Sequence, residues 1–146
     1  MYGHILIAFD GTELSEKALR QGIQLAKAVG AKVTALYVTM PWAAVAVGEI
    51  AVMFPPEEYE ANAAKAASEQ LKRAAETAKA QGVPCETIHS SESQPYKAIV
   101  DTAANKGCDL IVMGSHGRRG IAGLLLGSVA MKTLTHAHVP VLVYRE

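Results

Sequence analysis

The chain has 146 residues, half of them hydrophobic and only 5% aromatic, which suits one domain around a core of Val, Ile, Leu and Ala. Acidic and basic residues balance at 14 each, for a formal net charge of +0. That balance leaves no electrostatic footprint for nucleic acid and argues against a polybasic membrane anchor, so neither partner nor membrane insertion is expected.

The opening residues, MYGHILIAFDG, lack a basic segment followed by a long apolar stretch. They read as a first strand rather than a signal peptide, and a cytoplasmic location is expected. Residues 5–9 (ILIAF) form a near-continuous apolar run, as in a strand buried on both faces. After Asp10-Gly11-Thr12 a helix is predicted, with Ala18, Gly22, Leu25 and Val29 on one stripe and Leu19, Ile23 and Ala26 beside it. Gly30 ends it, and residues 33–38 (VTALYV) are the second strand.

Residues 39–56 (TMPWAAVAVGEIAVMFPP) make a long connection that is apolar yet interrupted by Glu49 and prolines, too short to span a bilayer. Three roles are open to it: covering a ligand, contacting a partner, or packing on the domain. The next helix is predicted over about 57–80, with Ala64, Ala67, Leu71, Ala74, Ala75 and Ala78 inward and a Glu69–Arg73 pair on its solvated face. Residues 85–89 are the third strand. A helix from Pro95 follows, burying Tyr96, Ile99, Val100, Ala103 and Ala104. Three helices thus end in a glycine shortly before a strand (Gly30, Gly82, Gly107), the punctuation of repeated αβ units and of a parallel sheet with helices on both faces. Cys85 and Cys108 have no C-x-x-C spacing and read as reduced, buried thiols.

The stretch 109–134, DLIVMGSHGRRGIAGLLLGSVAMKTL, carries the chemistry. A buried strand, 110–113, opens into a loop with glycines at 114, 117, 120, 123 and 127, and a helix begins at about Ser128. Glycines permit close backbone approach and positive φ, and the free N–H groups of a helix N-terminus favour an anion. No Gly-Lys-Ser/Thr closes the loop, so it is not a P-loop. Gly114 and Gly117 stand three apart, so it is not the dinucleotide fingerprint either.

The pattern is G-x2-G-x9-G-S, formed by Gly114, Gly117, Gly127 and Ser128. With this motif after the fourth strand, the chain resembles the universal stress protein family, in the subgroup whose members bind ATP, and the resemblance covers its whole length. It implies one α/β domain over 1–146, an open five-stranded parallel sheet of order 3-2-1-4-5. Strands 1 and 4 are then neighbours at the topological switch point, where ligands bind in such sheets. Asp10 and Gly114, singled out separately, fall side by side there.

The resemblance further implies ATP as ligand. Adenine would lie against Val38 with Ala8 and Phe9 beside it. Met113 and Gly114 would line the ribose, and Gly127, Ser128 and Val129 would receive the phosphates. Gly117 belongs to the same motif. Arg118 and Arg119 either add charge-assisted bonds to the phosphates or form a solvated loop tip. Asp10 either contacts the nucleoside and holds Mg²⁺ through water, or caps the first helix or turn. His116 reads as a solvent-exposed loop histidine, with phosphate contact or proton transfer the other reading. His136 and His138 flank a helix C-terminus, which suits them better than metal binding.

No convincing general base is visible, so any ATP hydrolysis is expected to be slow. The expected role is a nucleotide-dependent switch acting on a partner protein; a slow Mg-dependent ATP hydrolase and a nucleotide-free scaffold are the alternatives. The last strand, Val139 to Tyr144, is an apolar edge, and the resemblance implies that it pairs with its counterpart in a homodimer. A response-regulator receiver is excluded by the lone Asp10 and by His89-Ser90-Ser91 after strand 3, and a flavodoxin by a glycine loop that follows strand 4.

Overall fold

Six consecutive residues, His4–Phe9, are buried and form β1. Successive side chains of a strand point to opposite faces, so an unbroken buried run requires a helical layer on each side. The computed structural model describes residues 1–46, 48, 53, 55–116 and 126–145. In chain order the further elements are α1 (Glu13–Val29), β2 (Lys32–Thr39), a single turn α2 (Trp42–Val45) and α3 (Pro56–Ala80). They continue with β3 (Cys85–Ser91), α4 (Pro95–Lys106), β4 (Leu110–Gly114), α5 (Ser128–His136) and β5 (Val141–Tyr144). The sheet has five strands in the order β3-β2-β1-β4-β5, all parallel.

The two faces of β1 and β2 feed separate cores. Ile5, Ile7, Phe9, Val33, Ala35 and Tyr37 pack with α1 and α3. Leu6, Ala8 and Leu36 pack with Ile99 and Ala103 of α4 and Ala130 of α5. α1 buries Ala18, Leu19, Gly22, Ile23 and Ala26, together with Ser15, while Leu25 and Val29 are half-buried at the margin.

The helical stripes differ in detail from expectation. In α3 the buried residues are Ala67, Leu71, Ala74 and Ala78; Ala64 is exposed and Ala75 half-buried. At 25 residues α3 is about 37 Å long, whereas β2, with 8 residues, spans about 26 Å. Its first turns therefore overhang the carboxyl edge of the sheet. In α4 the buried set is Ala98, Ile99 and Ala103; Ala104 faces solvent, and Tyr96 and Val100 are half-buried. Among the described residues the ion pair formed is Lys106–Glu86 at 2.7 Å, not Glu69–Arg73, as expected for long exposed side chains that gain little from pairing. β5 starts at Val141, two residues later than expected; Pro140 uses its carbonyl to accept from Ile111 N–H at 3.0 Å.

The amino edge of the sheet is tied by side chains. Asp109 Oδ2 accepts from Gly3 N–H at 2.9 Å and Oδ1 from His4 N–H at 3.1 Å. His4 Nε2 and Thr34 Oγ1 share a buried hydrogen bond of 2.7 Å, and burial, with Lys32 nearby, lowers the His4 pKa. Cys108 is buried, which pushes its thiol up to about 11, and Cys85 is half-buried with its pKa also raised by burial; both are free thiols. The Gly3 N–H, aided by that of His4, holds the Asp109 carboxyl below its ordinary value. The unfolded chain therefore takes up the proton first on acidification. The stabilisation is present above the ordinary carboxylate value and is lost as pH falls through the lower native one. Asp109→Asn is expected to cost about 1 kcal/mol at neutral pH, the discounted value for exposed charge-assisted bonds. Urea melts of variant and wild type should converge at pH well below the carboxylate range; a gap that persists there would refute this account.

Candidate functional site

The β1–β4 ladder ends at Ile7↔Val112, although the strands run on to Phe9 and Gly114. Beyond this point the chain leaves β1 for α1 on one face and β4 for α5 on the other, and a crevice opens between them. It leads into a cavity of about 970 Å³ lined from both faces. That volume is at the upper end of the roughly 300–1,000 Å³ typical of small-molecule sites.

The β1 side is a rigid turn. Asp10 Oδ1 accepts from Thr12 N–H at 3.0 Å and from Thr12 Oγ1 at 2.7 Å. Thr12 is the N-cap of α1, and its hydroxyl oxygen accepts from Ser15 N–H at 3.3 Å. Asp10 N–H donates to Ser15 Oγ at 3.2 Å, and Tyr37 Oη donates to Asp10 O at 3.3 Å. Asp10 thus organises the turn before α1 and also lines the cavity. Of the two roles left open in the sequence, the structure shows the turn, and a carboxylate so engaged keeps lone pairs for a further contact.

The β4 side depends on Ser115, which is 1% exposed. Its N–H donates to Tyr144 O at 2.8 Å, and its carbonyl accepts from Gly127 N–H at 2.6 Å. The start of α5 is thereby fastened to the end of β4. A Cβ at position 127 would meet Ser115 O at 3.0 Å and His116 Cα at 3.4 Å, both backbone atoms. Glycine is needed here for close approach, not for positive φ: Gly127 has φ −73°, and Gly114 is not in the left-handed region either. The first bond of the helix is Met131 N–H to Gly127 O at 3.0 Å, and among the described residues no side chain caps the end. The N–H groups of Ser128, Val129 and Ala130 consequently have no intrahelical acceptor.

His116 differs from the expected exposed loop residue. It is half-buried, and its Nδ1 and Ser115 Oγ lie 3.0 Å apart. Its Nε2 is buried without a hydrogen-bond partner among the described residues, and the residue lines the cavity. A buried polar atom with no partner is costly, so its satisfaction by a ligand would be favourable.

Ala8, Val38, Met113, Gly114, Gly127, Ser128 and Val129 all line the cavity, as does Phe9. Phe9 belongs to the opposite core from Ala8, with its ring edge-on to Tyr37 at 5.3 Å. Gly117, Arg118 and Arg119 lie outside the described residues. The long connection joins the wall through Met40 and Val45. It is held to the overhang of α3 by Tyr59 Oη donating to Met40 O at 2.9 Å and by Trp42 N–H donating to Glu60 Oε1 at 2.7 Å. Tyr37, Tyr59, Tyr96 and Lys132 were not anticipated as lining residues. For Lys132 a signal existed, because four residues after Ser128 it shares the same helix face. For the tyrosines none did, since they reach the cavity from three separate elements. Among the described residues no cluster of three His, Cys, Asp or Glu could hold a metal, and no helix is long and apolar enough to cross a membrane.

A doubly wound parallel sheet with a cavity at its switch point defines an α/β domain whose crevice has the place and size of a small-molecule site. The chain belongs to the universal stress protein family, whose profile matches residues 1–145. It is 33% identical over 149 residues to the universal stress protein YxiE of Bacillus subtilis, covering 99% of this chain and 100% of that protein. The solved structure of the hypothetical protein MJ0577 superposes with a TM-score of 0.82 at 27% identity, covering 100% of this chain and 97% of that one. A universal stress protein solved in complex with cAMP superposes with a TM-score of 0.69 at 26% identity, covering 99% and 97%.

The geometry separates the fold role of the first turn from its site role. Thr12→Ala removes the cap and is expected to cost about 1 kcal/mol, or roughly 3 °C in Tm. Asp10→Asn keeps the Oδ1 acceptor while discarding the charge, and should shift Tm by less than about 1 °C. Thermal melts check both values; a larger loss in Asp10→Asn than in Thr12→Ala would show that the charge, not the turn, stabilises this corner.

Proposed function

We propose that the chain binds an adenine nucleotide, ATP with Mg²⁺, in this cavity and acts in the cytoplasm as a nucleotide-dependent dimeric switch on a partner protein. One observation carries the reading: Asp10, Gly114, Gly127 and the uncapped start of α5 converge on a single cavity at the switch point. Support comes from the related universal stress protein that was solved with cAMP.

The residues present suit such a ligand. The N–H groups of Ser128, Val129 and Ala130 and the Ser128 hydroxyl are donors for phosphate oxygens. The buried Nε2 of His116 offers a further polar atom beside them. Val38, Ala8 and Met113 supply an apolar wall for a base. Mg²⁺ would neutralise phosphate charge, with Asp10 contacting its water shell. Arg118 and Arg119 complete the proposed phosphate contacts.

Dimerisation is assigned to the last strand. β5 is an edge strand that pairs within the chain with β4, and Leu142 is 38% exposed. An apolar edge of this kind is completed by a second copy of the same strand. Slow ATP hydrolysis is the second reading, and His116 favours it as the histidine inside the cavity that could orient water. In that case Asp10→Asn abolishes turnover while leaving the fold intact.

Calorimetry with ATP and Mg²⁺ tests the reading. Gly127→Val displaces the start of α5 from Ser115 and should weaken ATP binding more than about 100-fold. Ser128→Ala should weaken it by about 3–10-fold, with circular dichroism unchanged in both. Absence of saturable binding in the wild type would leave the nucleotide-free dimeric scaffold.

A further inference from the structure

Among the described residues that line the cavity, the carboxylate is Asp10 and the permanent cation is Lys132. Lys132 is exposed, and among the described residues no carboxylate pairs with it. Its Nζ lies instead 5.7 Å from the centre of the Tyr96 ring, within the range of a cation–π contact. The Tyr96 ring is stacked against the His136 ring, with centroids 4.9 Å apart and planes at 28°. Ser128, Lys132 and His136 recur every fourth residue and so form one stripe of α5 facing the first turn of α4.

Each member of the stripe fixes the next. His136 steadies Tyr96, and Tyr96 holds the Lys132 ammonium at the cavity wall. Helical side chains lean toward the N-terminus, and the rise from Lys132 back to Ser128 is about 6 Å, a distance that the lysine stem can cover. The ammonium can therefore serve the same anion as the open N–H groups of the helix. We propose that Lys132, held by Tyr96, senses the number of phosphates on the ligand and makes the site favour ATP over AMP. This rests on the adenine-nucleotide reading above. A helix N-terminus and one hydroxyl suffice for a single phosphate, whereas each further phosphate adds negative charge that Asp10 repels and that Lys132 offsets beside the proposed Mg²⁺ and arginines.

The test is the ratio of AMP to ATP dissociation constants, measured by calorimetry in the presence of Mg²⁺. Lys132→Met is expected to weaken ATP by about 10-fold and AMP by less than about 2-fold. Lys132→Arg should keep the wild-type ratio to within about 3-fold. Tyr96→Leu should shift the ratio in the same direction as Lys132→Met, and Tyr96→Phe, which retains the ring, should not. Lys132 is exposed, so its variants are expected to fold, as circular dichroism will show. An unchanged ratio in Lys132→Met overturns this inference while leaving the nucleotide reading intact. Wild-type protein that binds neither nucleotide overturns both.

Discussion

The carboxyl edge of this molecule is organised by the parting of β1 and β4 beyond Ile7 and Val112. One strand sends the chain to the α1–α3 face and the other to the α4–α5 face, and a cavity lies between their ends among the described residues. Backbone polar groups released there need partners. On the β1 side Thr12 and Ser15 supply them through an interlocked turn around Asp10. On the β4 side Ser115 supplies them by joining Tyr144 and Gly127. Among the described residues, the start of α5 and one nitrogen of His116 remain open.

Ser115 also sets the distance between two proposed functions. Its N–H is bonded to the last residue of β5 and its carbonyl to the glycine that begins the proposed phosphate cradle. The edge strand assigned to dimerisation and the helix end assigned to the nucleotide are thus separated by one buried residue. A ligand that repositions Gly127 would act on the end of β5 through two short hydrogen bonds. In the proposed switch, that contiguity would let ligand and association state bias one another.

Much of the architecture was legible because it follows from periodicity. The unbroken run ILIAF requires two covering layers, and Gly30 and Gly107 adopt the left-handed conformation that ends a helix, with φ 73° and 68°. The departures have local causes. Ala64 fits the helical stripe of α3 but lies toward the end that outruns the sheet, where it is exposed. The Glu69–Arg73 spacing permits an ion pair without requiring one. His116 sits in a glycine-rich loop, which reads as exposed, yet it lies beside the docked Gly127 and its Nε2 is buried.

The sequence by itself determined the element order, the parallel sheet, and that Asp10, Gly114, Gly127 and Ser128 belong together. The first two and the glycine motif follow from local spacing, whereas the place of Asp10 beside that motif follows from the strand order that the family resemblance implies. Only the tertiary structure decided what else surrounds them. Tyr37 comes from β2, Tyr59 from the overhang of α3, and Tyr96 from α4, and they meet at one cavity because three separate elements end near the same sheet edge. Such meetings depend on helix length and crossing geometry, which residue periodicity does not encode. The same holds for the ring of Tyr96 between His136 and Lys132, a contact between two helices that no spacing along the chain announces.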